Sequence, residues 1–197
     1  MRLYVTSWLR AFCFCLFTCN RVAAADLELF LDADFAKSRA SSIAIELGIR
    51  TALEEVEYRL GGHDVALVSK DHRGNVKRSH NNIQELAASE TALLMFGGMH
   101  SPPYLKYRTY INENRLLTLL PWSAAGPLTR ADPGQENWLF RLSVDDRQSG
   151  RFLVNAAVAQ QGCQSVSLLL LDTGWGHANR GSLEAALAEH GVRPTHV

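Results

Sequence analysis

Beyond its first 25 residues, the chain alternates between short apolar runs of strand length and longer segments with apolar side chains every third or fourth position. Leu27–Leu31 reads as a strand running into the acidic loop Asp32–Phe35. Ser41 or Ser42 caps a predicted helix that continues to about Leu60. Ile45, Ile49, Leu53 and Val56 recur along it at helical spacing, and Gly61-Gly62 ends it. Val65–Ser69 is the next strand and delivers Lys70 and Asp71 to its carboxyl end. A polar loop with Gly74 then leads into a helix from about Val76 to Ala88.

The stretch Leu93–Thr129 organises the rest. Ala92–Phe96 is apolar without interruption, as suits a parallel strand covered on both faces. Gly97 and Gly98 break it at a sharp turn. Ser101 is placed as a helix N-cap and Pro102 at the first helical position, where a missing N–H costs nothing. That helix runs to Asn112–Asn114. A second apolar run, Leu116–Leu120, stops at Pro121 and opens into a loop through Trp122, Ser123 and Ala124. In an open α/β sheet both loops lie at strand carboxyl ends and face one crevice.

Asp132-Pro133-Gly134 marks a turn, and Asn137–Ser143 reads as another strand. From Asp145 a helix runs to about Gln161, followed by a buried strand Val166–Leu171 and the loop Asp172–Gly176. A helix from about Ser182 to His190 and the beginning of a strand at Val192–Val197 complete the pattern. Strand and helix alternating throughout predict an α/β fold with parallel sheets.

Composition changes this picture mainly at the amino terminus. Arg2 and Arg10 precede the apolar stretch Ala11–Cys19, Ala23–Ala25 forms a small-residue cleavage site, and no acid occurs before Asp26. This is the layout of a secretory signal peptide over residues 1–25, with an apolar core too short to span a bilayer. It implies periplasmic localisation and no stable membrane insertion after cleavage. Lipidation through Cys19 and an ordinary buried helix are weaker readings of the same residues. The 20 basic and 20 acidic side chains balance over the whole chain. Removing three signal arginines leaves the acids in slight excess, and no basic stripe points to nucleic acid. Three of the four cysteines leave with the signal, so Cys163 has no internal disulfide partner.

Catalytic readings find little support. Asp172-Thr173-Gly174 mimics an aspartic-protease motif, but that chemistry needs two carboxylates and no second copy exists. A Ser101, Asp172 and His177 triad lacks the G-x-S-x-G elbow, and Pro102 denies an oxyanion-hole amide. No metal-ligand spacing, glycine-rich nucleotide loop or other cofactor motif is present, so the expectation is a protein that is not an enzyme and carries no cofactor. Trp122 and Trp175 sit in loops flanked by Pro, Ser or Gly. There an aromatic ring offers a rigid face to a ligand, although a core role is the alternative. Ser101 can cap a helix and donate outward at once. His100 is its neighbour and a weaker candidate.

Several segments carry a resemblance. They are ELGIRTALEEV before Gly61-Gly62, VALVSKD, FGG-x-x-S before a helix, LLTLLPWSAAGPLT, FRLSVDDRQSGR and LLLLDTGWG. In order and spacing from Leu27 onward, the chain resembles the amino-terminal part of a type I periplasmic binding protein of the leucine/isoleucine/valine-binding kind. The resemblance implies a doubly wound parallel-sheet lobe over residues 26–143. Residues 144–197 would be the hinge and the incomplete start of a second, similar lobe. It implies capture of a small polar ligand, an amino acid or related compound, for delivery to an ABC transporter permease. A ligand-sensing domain of a receptor or regulator is the alternative. By the same resemblance, Ser101 stands where a serine bonds a ligand carboxylate, and Trp122, Ser123 and Ala124 lie in a ligand-holding loop. Trp175 stands where a tyrosine covers the ligand. Ala124 replaces the family's threonine, and Pro102-Pro103 removes two amides from the helix start.

Overall fold

The computed structural model describes residues 25–130 and 134–197. The expected signal peptide, apart from Ala25, and most of the Asp132-Pro133-Gly134 turn lie outside these residues. Six strands form one sheet: β1 (Leu27–Ala33), β2 (Arg59–Leu60), β3 (His63–Asp71), β4 (Ala92–Gly97), β5 (Thr118–Leu120) and β6 (Leu139–Arg141). Their spatial order is β2-β3-β1-β4-β5-β6, all parallel except the β2–β3 hairpin. The chain leaves β1 for β3 on one side and returns across β1 to β4 on the other. The direction of winding therefore reverses between β1 and β4, where open α/β sheets form a ligand crevice.

Helix α1 (Arg39–Glu55) covers one face and α2 (Val76–Ala88) the other, as do the short helices α3 (Pro102–Lys106) and α4 (Arg108–Glu113). Period-two alternation in β1 divides the core accordingly. Leu29 and Leu31 pack with Leu53, Val65 and Ile45 toward α1. Phe30 packs with Ile83, Leu86, Met95, Tyr104 and Ile111 toward α2, α3 and α4. Asp32 falls on the Phe30 side and is fully buried. It extends the strand rather than opening a loop, because its polar atoms find partners. Its carboxylate accepts from the Ser79 hydroxyl, from Asn82 Nδ2 at 2.6 Å and from the Tyr104 hydroxyl at 3.0 Å. Gly98 N–H donates to Asp32 O at 2.8 Å and to the Tyr104 hydroxyl at 3.1 Å. Burial, and then the nearby carboxylate, push the Tyr104 phenol well above its ordinary range, so it keeps its proton as a donor.

Several expected boundaries shift. Helix α1 starts at Arg39 and stops at Glu55, because Glu57 and Tyr58 adopt left-handed backbone angles and turn the chain into β2. Gly61-Gly62 consequently forms the tip of the β2–β3 hairpin and not a helix end. Gly97 and Gly98 do not adopt left-handed angles. Gly97 is required by proximity: a Cβ there would lie 2.5 Å from Leu120 Cδ2 and 2.7 Å from the Tyr104 ring. The helix after Ser101 breaks at Tyr107 into α3 and α4.

Beyond β6, α5 (Asp146–Asn155) widens into a π-turn at Ala156–Gln160 and packs on α6 (Gly174–Glu189) through Val154, Ala186 and Leu187. Helix α6 begins eight residues earlier than the sequence suggests, because Thr173 caps it by accepting from Gly176 N–H at 3.1 Å. Val166–Leu171 and Val192–Val197 are not strands. Two backbone bonds, Leu168 N–H to His196 O and Thr195 N–H to Val166 O, join the segments among the described residues, and Leu169 is fully exposed. A strand needs a continuous ladder to one neighbour at least, and two bonds do not make one.

Asp145 caps α5 by accepting from Arg147 N–H at 2.8 Å. Its carboxylate also binds Arg130, and Arg141 at 2.7 Å. Burial opposes its charge, but the bonds from Arg130, the Arg147 amide and Arg141 prevail and hold the carboxyl below its usual range.

Two stability tests follow from these buried polar groups. Tyr104→Phe should lower unfolding free energy by about 1–3 kcal/mol in urea titrations, since it leaves part of a buried carboxylate unpaired. An unchanged midpoint would mean that the Asp32 shell is not stabilising. Because Asp145 has a depressed folded pKa, its contribution is complete above the ordinary carboxylate range and is lost as pH falls through the depressed value. Asp145→Asn should therefore be less stable than the parent at pH 7, with the gap narrowing in acid. A gap that stays constant would contradict the charge-based account.

Candidate ligand-binding crevice

The carboxyl ends of β4 and β5 open toward the same side as the loop before α6. Three segments there enclose a cavity of about 470 Å³, within the range of small-ligand sites. Met99, His100, Ser101 and Pro102 line it from the β4–α3 loop, and Trp122 and Ala124 from the loop after β5. Leu171, Thr173 and Trp175 approach from the start of α6. Four of these (Met99, Pro102, Leu171 and Thr173) were not named as ligand contacts from sequence. Met99 and Pro102 flank the named pair, whereas the tight turn that brings Leu171 and Thr173 inward has no short-range hydrophobic signature.

Backbone geometry fixes each wall. Gly98 is pinned against β1 by its bond to Asp32 O, so the β4–α3 loop leaves the sheet at a set angle. Ser101 is buried, and its side chain does not cap α3. Its Oγ instead accepts from Ala125 N–H at 3.3 Å, which ties this loop to the one after β5. Ser123 reinforces the same tie: its hydroxyl donates to Gly98 O at 2.7 Å, and it is buried and not among the lining residues. Ala124 O accepts from Asp146 N–H at 3.0 Å and from Arg141 Nη1 at 3.2 Å, which fixes this loop to the start of α5. At the third wall, a Cβ on Gly176 would stand 1.8 Å from Leu171 O. Only glycine allows the turn that presents Thr173 and Trp175 together.

His100 lies between the cavity and a buried polar pocket. Its Nε2 is 3.4 Å from Ser38 Oγ, and its Nδ1 is buried without a partner among the described residues. Its ring meets that of buried His72 edge-on, with centroids 5.8 Å apart. Burial, and then the neighbouring His72, lower the His100 pKa against the opposing pull of Asp34. The ring is therefore uncharged at neutral pH, with one nitrogen donating and the other accepting.

Asp172 and His177 pair at 3.0 Å on the exposed surface, and neither lines the cavity with Ser101. A broader depression between α5 and α6 is walled in part by Arg130, Arg147, Arg151 and Glu189, of which Arg151 and Glu189 pair with each other. Among the described residues, no cluster of His, Cys, Asp and Glu is arranged to hold a metal ion. No helix among them is long and apolar enough to cross a membrane.

Solved structures share this fold at low sequence identity. Leucine binding protein LivK from Thermotoga maritima superposes with a TM-score of 0.75 at 20% identity, covering 87% of this chain and 48% of its own. A solute binding protein from R. palustris, solved in complex with benzoate, gives 0.75 at 20%, covering 86% and 47%. An ABC transporter substrate-binding protein from Desulfitobacterium hafniense, solved in complex with Leu, gives 0.72 at 19%, covering 86% and 49%. The chain thus spans about half the length of these structures. No curated protein matches it in sequence. The sequence matches the periplasmic binding protein family across residues 33–196. With an α/β sheet wound as in these structures and the match extending over most of its length, the chain belongs to the type I periplasmic binding protein family.

Proposed function

We propose that this chain forms the ligand-capturing part of an extracytoplasmic solute receptor that delivers a small organic molecule to an ABC transporter permease. The observation that carries this reading is the convergence of three separate segments on one apolar cavity of small-molecule size. The family's solute-binding role supports it, as do structural neighbours solved with Leu or benzoate. In this reading residues 26–143 form one lobe. Residues 144–197 carry the hinge and the start of a second, and the ligand lies where the two meet. Ser101 and His100 address the ligand's polar end, Trp122 and Trp175 enclose its body, and Ala124 leaves room beside them. Ser123 contributes by holding the loop. The chemistry required in this reading is binding and closure, which calls for no reacting group. Export through the amino-terminal signal places the receptor in the periplasm.

Two tests follow. The secreted protein should begin Asp-Leu-Glu-Leu on amino-terminal sequencing, and a periplasmic form retaining Met1 would sink the cleavage assignment. A thermal-shift screen of small organic solutes against the full-length protein should return a ligand that changes tryptophan fluorescence. Ser101→Ala should weaken that ligand by about 0.5–3 kcal/mol. Trp175→Ala should cost about 2 kcal/mol or more, since it removes a large apolar wall. Parent-like affinity in both variants would reject the crevice as the binding site.

A further inference from the structure

Two adjoining imidazoles each bury a nitrogen without a partner among the described residues: His72 Nε2 and His100 Nδ1. His72 is fully buried just past the end of β3, and its bonds fix its proton. Its backbone N–H donates to Ala33 O at 3.0 Å, at the end of β1, and its Nδ1 accepts from Gly74 N–H at 3.1 Å. A ring nitrogen that accepts carries no hydrogen, so the neutral ring holds its proton on Nε2. The bond to Gly74 closes a turn in which Arg73 and Gly74 both adopt left-handed angles, Arg73 without glycine's freedom. Asn75 follows at once and caps α2. The imidazole is thus a brace between β1 and the start of α2.

His100 braces the other side, with its Nε2 3.4 Å from Ser38 Oγ at the start of α1. Since His72 buries an N–H, a bare Nδ1 on His100 keeps two unmet donors from being buried together. His100 then carries its proton on Nε2 and donates it to Ser38. Neither ring has a place for a second proton. On His72 it would go to Nδ1, against the Gly74 N–H; on His100 it would go to Nδ1, which is buried without an acceptor. The same tautomer closes the pair to a metal ion, which would need His72 Nε2 bare and its proton moved onto Nδ1.

Charge around the pair is uneven. From the β1–α1 loop, buried Asp34 and Lys37 come within 3.0 and 3.5 Å of where a Cβ on Gly74 would stand. The β3–α2 loop adds Asp71 and Arg73, paired at 3.6 Å. The first turns of α1 and α2 add exposed Arg39, Lys77 and Arg78. Asp32 at the end of β1 is committed to Ser79, Asn82 and Tyr104. The β4–α3 loop carries no charged side chain from Gly97 to Ser101. Asp34 favours a charged His100, but burial first, and then His72, outweigh it.

We propose that His72 and His100 form a proton-operated latch: uncharged, they hold the β3–α2 turn to β1 and the β4–α3 loop to α1, and protonation in mild acid releases both. The latch stands apart from any ligand, since neither brace needs one. The loop it releases is one wall of the cavity, so the latch ties the shape of that wall to the pH of the surroundings. Because folded His100 resists protonation below its ordinary 6.5, its contribution is whole above that value and is lost as pH falls through the depressed one.

Imidazole NMR and hydrogen exchange on the full chain, from about pH 8 to about pH 5, test this. At the alkaline end His72 should show the Nε2–H tautomer. Two amides report the braces: Gly74, bonded to His72 Nδ1, and Ala125, bonded to Ser101 Oγ on the released loop. Their protection factors should fall by about 10-fold or more across the range while those of β1 hold. His72→Asn keeps an acceptor for Gly74 and His100→Gln keeps a donor for Ser38, and neither new side chain titrates. Together they should abolish most of that acid-dependent loss. An equal loss in parent and double variant would overturn the latch. So would a loss spread evenly over the β1 amides, which is global unfolding, or a His72 proton on Nδ1 at the alkaline end. If the variants do not fold, the parent decides: the two rings must titrate over the pH range in which Gly74 and Ala125 lose protection, and a mismatch rejects the proposal.

Discussion

The crevice depends on one buried carboxylate. Asp32 sits fully buried in β1 beside the apolar core, where an unpaired charge would be costly. Ser79 and Asn82 on α2 reach it from one side and Tyr104 on α3 from another. Each of those bonds orients a helix against the strand. The Tyr104 hydroxyl and the Asp32 carbonyl together receive the Gly98 amide, so the same cluster fixes where the β4–α3 loop departs. The positions of Met99 through Ser101 follow from that departure. A hydrophobic core alone would bury these surfaces, but it would not specify the loop's direction, because apolar contacts are non-directional.

From this anchor, order passes outward through hydrogen bonds between loops. Ser123 and Ser101 link the β4–α3 loop to the loop after β5. Arg141 joins that loop to Asp145 and so to the first turn of α5. The residues that would meet a ligand are thus supported by residues that would not, which is how a site holds its geometry before a ligand arrives. Ser123 illustrates the distinction. Its neighbours face the cavity, whereas its hydroxyl is consumed inside the protein.

Much of the architecture was legible in the residues themselves. The helix Val76–Ala88 was bounded correctly because Asn75 caps it and its apolar spacing is strong. The strands Leu27–Leu31, Val65–Ser69 and Ala92–Phe96 were found as cores of slightly longer elements, since apolar continuity marks burial but not the last ladder bond. What escaped depends on distant partners or unusual backbone. Nothing local says that Glu57 and Tyr58 would turn left-handed, so β2 was missed. Nothing near Asp32 in sequence announces Tyr104. Val166–Leu171 has the composition of a buried strand, yet strand identity belongs to a pair of segments and not to one. For the crevice, neighbouring positions such as Ser101 and Trp122 could be placed together by topology. Thr173 was hidden because its role as a cap rests on Gly176, and a glycine-rich run reads as loop.

The small β2–β3 hairpin has a further consequence. A parallel sheet ends in a row of unsatisfied amides and carbonyls that can template another chain. Here the long β3 is faced along part of its outer side by a two-residue antiparallel strand. Beside it Arg59 reaches Asp64 at 3.4 Å and His63 reaches Asp26 at 3.6 Å. An incoming strand would have to displace backbone pairing and bury exposed charge at the same margin. Two residues and a glycine turn therefore act as a guard of this margin against sheet-to-sheet polymerisation.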